Sequence, residues 1–580
     1  MSKKKFINIE NFYGGLNTQI NSTMLADNEL SVAYDISYRD GGASVRPQYK
    51  VNGDISPFFS TNISSATEHI SSYGLGKRSF AAFDVSIDSA RPLRNKIFVG
   101  LSVDPNYEVS SGVYESRTIL KLSKIGYSYG YYPDDSVLYL CGDDSGAWQN
   151  IKQYSISGTD YFVFHDYGTK RLKKGTIAST PTISTLGADT DREGCIFEVF
   201  SGRLFYTDSA TPGRLLYTTI GGETYSGYIE ITGKEAIVSL LSANDSLYVL
   251  TVKNMHLVTG RSALSFSTRV ILKNVEARQI VEYKGRVIFK NNFGEIFMWD
   301  GYGNQIDISK KIKGNSSRFS VFNIFKDRLF VSPISATKYT TSIPELLVYD
   351  LSLIGGSNLP PSALWRISDY DASIYADVAI DYMYDRYFVT PKKTKAYFVG
   401  NERFSKERRI AYFENDDLDS PFLPSLYQVG IDGYFGSTEY NYDKHCYYSW
   451  VSGAGGTYSV IGGKIKTKLK TKKLSFGAIQ SDKRMYRVYN HTNGDGTYKI
   501  TVDTSGYNNE QSFDNTYTVT ISGSNHEYVK NVDCETGNLH GRFVAITSEI
   551  ISGTEAVWST PRSEKQSIDG MTIEIDSEAP

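Results

Sequence analysis

The chain reads as an all-β protein centred on a β-propeller, and three features of the sequence lead there. Aromatic residues fill 13% of its 580 positions, with 44 Tyr and 29 Phe, and such side chains suit the pleated, half-buried surface of a strand. Apolar runs are short, about five residues, and are bounded by Gly, Asp, Asn or Ser, as strands between tight turns should be. The runs also return at a regular interval, as a repeat architecture requires.

The repeat is visible residue by residue. Asp160-Tyr161-Phe162-Val163-Phe164 is followed by Gly202-Arg203-Leu204-Phe205-Tyr206, then by Asp245-Ser246-Leu247-Tyr248-Val249. Gly285-Arg286-Val287-Ile288-Phe289, Asp327-Arg328-Leu329-Phe330-Val331 and Asp385-Arg386-Tyr387-Phe388-Val389 continue the series. Up to Asp327 the interval is about 40–45 residues, the length of a four-stranded propeller blade. The longer gap before Asp385 reads as a blade carrying an insertion around Leu359-Pro360-Pro361. Evenly spaced hairpins of a large β-sandwich array are the alternative. Inside one interval, Gly294 to Trp299 forms a strand and Asp300-Gly301-Tyr302-Gly303 a hairpin turn.

These intervals divide the chain. A strand at Asn95-Lys96-Ile97-Phe98-Val99 extends the repeat forward, so the propeller is placed over residues 61–400. Residues 401–580 lose the period and form a C-terminal antiparallel β domain, entered through Gly453 to Gly463. There Arg484 to Tyr489 and Thr497 to Val502 flank Asn493-Gly494-Asp495-Gly496 as a hairpin, and Thr516 to Ile521 alternates as a further strand. Residues 1–60 lie outside the repeat as an extended N-terminal arm. Within it, Leu25–Tyr34 reads as a short helix with Asp27 as N-cap.

Composition narrows the function. Lys and Arg number 62 against 64 Asp and Glu, a net charge of −2, which offers no electrostatic basis for tight nucleic-acid binding. Cys141, Cys195, Cys446 and Cys534 lack the short spacings of a disulfide framework or zinc site, and read as free thiols from a reducing cytoplasm. The start, Met1-Ser2-Lys3-Lys4-Lys5, has no apolar segment behind it to make a signal peptide. No apolar run approaches the ~20 residues of a membrane helix. A role outside the cell would then need another exit, such as lysis.

Motifs with chemical meaning are few. Gly126-Tyr127-Ser128-Tyr129-Gly130 matches the G-x-S-x-G elbow, but Tyr131-Tyr132-Pro133-Asp134-Asp135 behind it reads as a turn where the motif needs a helix. Asp144-Ser145-Gly146-Ala147-Trp148 approaches an Asp-box turn, with Gly142 where the Ser belongs and one residue too few before Trp148. No facing carboxylate pair of a glycosidase accompanies it. The acidic pairs Asp134-Asp135, Asp143-Asp144 and Asp416-Asp417 lack calcium-loop spacing. His526-Glu527 meets Lys530 where a second zinc-binding His would stand, and Gly74-Leu75-Gly76-Lys77 is too short for a phosphate loop. The sequence thus nominates no catalytic residue, metal ligand or cofactor, and the chain is expected not to be an enzyme.

The first residues carry a family signature. Asn11-Phe12-Tyr13-Gly14-Gly15-Leu16-Asn17, then Asp27-Asn28-Glu29, Gly41-Gly42 and Arg46-Pro47, resembles the N-termini of tail tubular (nozzle) and tail-hub proteins of short-tailed bacteriophages. Pro212-Gly213-Arg214-Leu215-Leu216-Tyr217 looks like part of a blade of such proteins. Ile465-Lys466-Thr467-Lys468 and Leu474-Ser475-Phe476-Gly477 look like the entry to their C-terminal domain. Gln48 departs from the pattern, where a Gly commonly follows Arg-Pro.

The resemblance implies a virion structural protein, assembled in the host bacterial cytoplasm into a ring, usually six-fold, around the DNA-ejection channel. Its implied partners are copies of itself, a portal-side adaptor or other tail proteins, and tail fibres, with genomic DNA passing without sequence-specific binding. Phe12, Gly14, Gly15, Leu16, Asn17, Glu29, Arg46 and Pro47 become the candidate assembly residues. Gly14-Gly15 permits a left-handed excursion and Arg46-Pro47 an extended dipeptide, so the arm is expected to clip onto a neighbour rather than join a core. The competing reading is a glycan-binding or glycosidase-like propeller acting as a receptor-binding tail protein. A host-interaction propeller of the WD or kelch kind would need more than the solitary Trp299-Asp300.

Overall fold

The computed structural model describes residues 3–38, 42–45 and 49–54, most of 80–140, 151–366 with interruptions, the strands between 378 and 460, and most of 466–577. Strands dominate, and the architecture is all-β. A short 3₁₀ turn, Leu351–Leu353, is held by the Asp350 side chain accepting from Ser352 N.

Among the described residues six sheets have four antiparallel strands, and four further strands at one end of a ten-stranded sheet bring the blades to seven. Blade 1 spans 80–140, blade 2 151–185, blade 3 197–230, blade 4 237–272, blade 5 277–307 and blade 6 322–366; blade 7 takes three strands from 378–413. The first strand of each blade neighbours the first strand of the next. Val378–Tyr387 of blade 7 in turn neighbours Phe80–Ser86 of blade 1, which closes the ring. The propeller therefore runs past residue 400, the boundary read from the sequence.

The repeat has a local cause. The first two strands of a blade are joined by a two-residue turn whose residues both take positive φ: Ser157-Gly158, Ser201-Gly202, Asn244-Asp245 and Lys284-Gly285. That is the turn whose twist matches the flanking strands. Asp327 takes φ 61° at the same place in blade 6. The apolar run after each turn is the second strand, and it is continuous because both its faces are buried. In blade 4, Leu247 and Val249 pack into the core shared with blade 3. Their neighbours Tyr248 and Leu250 pack toward blade 5.

Several expectations are corrected. Asp385–Tyr387 ends the first strand of blade 7 rather than opening its second, so that run is out of phase with the others, although blade 6 is still the longest of the repeats from blade 2 onward. Leu359-Pro360-Pro361 links the third and fourth strands of blade 6. Pro133-Asp134-Asp135 lies within the strand Tyr131–Leu140, whose pairing shifts register between Pro133 and Val137; such a bulge accommodates the missing N–H of Pro. Asn493 to Gly496 does not close a hairpin. Lys483–Asn493 pairs with Ser567–Ser577, and Gly496–Ser505 with Asn515–Gly523 and Phe543–Ile551, so the two strands belong to different sheets.

The N-terminal residues are not a free arm. They supply β1 (Lys3–Ile9), β2 (Gly15–Leu16), β3 (Glu29–Tyr34), β4 (Ile36–Ser37), β5 (Ala43–Val45) and β6 (Tyr49–Asp54). β1 and β5 pair with Ser567–Ser577. β6 becomes the fourth strand of blade 7. β3, expected as a helix, lies between Ser362–Arg366 of blade 6 and Lys466–Thr471 of the C-terminal region. It thereby fuses blade 6 with Lys466–Thr471, Gly496–Ser505, Asn515–Gly523 and Phe543–Ile551 into one ten-stranded sheet, which β2 completes. The buried apolar residues of β3, Leu30 and Ala33, are three apart rather than two, because the pairing with Lys466–Thr471 shifts register between Leu30 and Val32.

Candidate functional site: the N-terminal clasp

The segment with the family-like string sits at the junction of blades 5 and 6 with the C-terminal sheet. Phe12 and Leu16 are buried in a core that also contains Leu30, Ile312, Leu329, Trp365, Leu469 and Ile573. One hydrophobic cluster thus draws on the N-terminal segment, two blades and the sheets of Lys466–Thr471 and Ser567–Ser577, and this is where the parts are held together.

Backbone shape sets the entry. Gly15 takes φ 65°, and a Cβ there would lie 2.5 Å from Ser362 N and 2.7 Å from Pro361 Cα. Any side chain at position 15 would lift the segment off blade 6. At Gly14 a Cβ would meet Asn28 O at 2.6 Å, while Gly14 N donates to that same carbonyl at 3.1 Å. The paired glycines therefore serve close approach within one chain.

Polar bonds then fasten the segment. Glu29 accepts from Ala26 N at 2.9 Å and from Asn17 Nδ2 at 3.1 Å, both on Oε2. Its Oε1 pairs with Lys311 Nζ at 2.9 Å, and Nζ also donates to the Gly14 carbonyl at 2.8 Å. The backbone N–H groups of Thr18 and Gln19 donate to Lys311 O. Burial pushes the Glu29 carboxyl pKa up, but the bonds from Lys311, Ala26 and Asn17 outweigh it and hold the group below its ordinary value.

A second set of bonds ties β4 to blade 6. Trp365 Nε1 donates to Ile36 O at 2.6 Å, Tyr38 Oη to Ser362 O at 2.9 Å, and Arg328 to Ser37 Oγ at 2.7 Å. Arg328 also lies over the Trp365 ring, 5.6 Å from its centroid. On the C-terminal side, Thr467 Oγ1 donates to Asp35 O and Lys472 pairs with Asp27.

Of the candidates read from the sequence, Phe12, Gly14, Gly15, Leu16, Asn17 and Glu29 are brought together here; Arg46 and Pro47 lie outside the described residues. So do Ser128 with its flanking glycines, the segment Gly142–Trp148, Asp416-Asp417, His526 and Glu527, and the segment Gly74–Lys77. Sequence reading missed Lys311, Ser362 and Trp365, which carry no local signal. Arg328 stood in view as a charge inside the repeat run Asp327-Arg328-Leu329. Among the described residues no group of His, Cys, Asp and Glu gathers as metal ligands would, and no helix is long and apolar enough to cross a membrane.

The chain is therefore an all-β propeller protein whose N-terminal segment stitches its ring to a C-terminal β region. No family model matches it, and no curated protein matches it. Solved structures similar to parts of it include Chaetomium thermophilum Raptor, at TM-score 0.35 and 10% identity over 55% of this chain and 27% of that one. The AfRom2 CNH domain is similar at TM-score 0.35 and 9% identity, covering 63% of this chain and 99% of that one. YCF48 bound to D1 peptide is similar at TM-score 0.34 and 11% identity, covering 60% and 95%. None of the three is named as a virion protein, and likeness at this level carries no functional argument.

Proposed function

We propose that this protein is a structural component of a bacteriophage tail, a nozzle or hub subunit that assembles as a ring around the DNA-ejection channel. The observation that carries the reading is the string from Phe12 to Glu29. The residues through which the chain resembles tail nozzle and hub proteins are those that close the clasp. Such a part must bear load while a genome passes, and a sheet continuous from blade 6 into the C-terminal region spreads load over many backbone hydrogen bonds. Because Phe12, Gly14, Gly15, Leu16, Asn17 and Glu29 are buried within their own chain, they serve assembly by shaping the subunit rather than by touching a neighbour. The near-neutral charge lets DNA slide past without adhering. Adaptor, tail proteins and fibres are the partners this role requires, the tail of the virion is its place, and Ser128 has no catalytic part in it.

Negative-stain imaging and native mass measurement of the purified full chain test the proposal. Closed rings of several copies with a central hole support it. Single discs at every concentration, or loss of a hydrolase activity in Ser128→Ala, overturn it.

A further inference from the structure

We propose that Lys311 and Asn17 become joined by an intramolecular isopeptide bond, with Glu29 as the group that moves the protons. The clasp holds each part that this condensation needs. Lys311 Nζ is the nucleophile, 2.9 Å from Glu29 Oε1 and oriented by its bond to the Gly14 carbonyl. The Asn17 carboxamide is the electrophile, and its Nδ2, the leaving group, donates to the other oxygen of the same carboxylate at 3.1 Å. Its Oδ1 accepts from Gln19 N at 3.1 Å, so a fixed backbone donor faces the oxygen on which charge develops.

A single carboxylate that bridges amine and amide holds the reacting groups together, which supplies the proximity that a condensation lacks in solution. A simple ion pair would need neither the amide nor the Gln19 N–H. Asn17 and Glu29 are buried and Lys311 is only partly exposed. Phe12, Leu16, Leu30 and Ile312 belong to the surrounding core, which keeps water from competing with the amine.

The step balances without any further reagent. The Lys311 ammonium gives one proton to Glu29, and the free amine attacks Cγ of Asn17. A tetrahedral centre forms, with its oxygen toward Gln19 N–H. Glu29 passes its proton to Nδ2, the Cγ–Nδ2 bond breaks, and the remaining surplus proton on the attacking nitrogen leaves with the ammonia. An ammonium and a primary amide become a secondary amide and an ammonium ion, and Glu29 ends as the carboxylate it began. Glu29 is a weak base because its carboxyl is held below the ordinary range, yet the reaction occurs once per molecule, so a slow step suffices. The bond would fix the N-terminal segment to the end of blade 5 and make the clasp permanent.

The test is the intact mass of the purified full chain together with a protease digest. The expected result is a chain lighter by one ammonia than its composition, and a branched peptide containing both Asn17 and Lys311. Glu29→Gln and Lys311→Arg should each show their full calculated masses and only linear peptides. A wild-type chain that keeps its full mass and yields no branched peptide after prolonged incubation overturns the proposal. The wild-type mass decides the matter even where a variant fails to fold. The readout is also independent of ring formation, so failure here leaves the tail assignment to its own experiment.

Discussion

Blade 4 and the N-terminal segment are made of the same element, the antiparallel strand, yet one announces itself in the sequence and the other does not. In blade 4 each strand pairs with the next one along the chain, from Ile237–Ala243 through to Ser267–Leu272. Its turns therefore sit between the strands they join, and Asn244-Asp245 marks the place. In the N-terminal segment each main partner is hundreds of residues away: β1 pairs with Ser567–Ser577, β3 with Lys466–Thr471, and β6 with Arg408–Phe413. No turn chemistry records such pairings. The segment reads as an arm because the partners of β1, β3 and β6 are elsewhere, and it behaves as the seam of the molecule for the same reason; only the short pairings of β2 with β3 and of β4 with β5 are local. Local pairing makes a blade; non-local pairing decides what the blades are attached to.

Removing the seam should have the largest effect. Deletion of residues 1–54 takes β3 out of the middle of the ten-stranded sheet and leaves Ser362–Arg366 and Lys466–Thr471 paired on one edge only. The variant is expected to lose its cooperative melting transition and most of its soluble yield, measured by far-UV circular dichroism and gel filtration. A soluble chain with the wild-type melting temperature would restore the free arm.

Next comes a charge in a blade. Leu329 is 0% exposed, and Leu329→Asp should cost about 4 kcal/mol, because an unpaired carboxylate is buried or the strand is displaced. Chemical denaturation reads the loss. If Leu329→Asp melts like the wild type, the assignment of the second strand of blade 6 fails.

Gly15→Val should be milder, at about 2–3 kcal/mol, combining a left-handed backbone with a collision at Pro361 and Ser362. Gly158→Val sharpens the comparison. Gly158 also has positive φ, but nothing lies within 4 Å of its Cβ position, so only the strain of about 1 kcal/mol remains. Equal losses at the two positions would mean that the close approach at Gly15 contributes nothing.

The last effect is a gain, not a loss, and concerns Lys290, on the second strand of blade 5. Burial pushes its ammonium pKa down to about 7, from 10.5. Between those values the unfolded chain keeps a proton that the folded chain sheds, so stability rises with pH across that window. Lys290→Met should therefore stabilise the protein at neutral pH, on the order of 2 kcal/mol, and the gain should shrink toward pH 10. Melting temperatures at the two pH values check it, and a gain that grows with pH would reverse the assignment.

The blades were legible because their information is local. Gly202, Asp245, Gly285 and Asp327 are turn residues, and the apolar runs after them are continuous because neighbouring blades cover both faces of the strand. Legibility failed where that local link was absent. Lys483–Asn493 and Gly496–Ser505 look like the arms of a hairpin, but each found better pairing in a different sheet. Leu25–Tyr34 looked helical, and the edges of blade 6 and Lys466–Thr471 drew Glu29–Tyr34 out as a strand.

The clasp divides in the same way. Phe12, Gly14, Gly15, Leu16, Asn17 and Glu29 stood out in the sequence as a group, without any indication of what they would face. Lys311, Ser362 and Trp365 were silent until the fold placed them against that group. By itself the sequence determined the class of element, the blade repeat and the identity of the string. Tertiary structure alone decided that the string lies inside its own molecule, because burying Phe12 and Leu16 requires surfaces that exist only once distant strands have met.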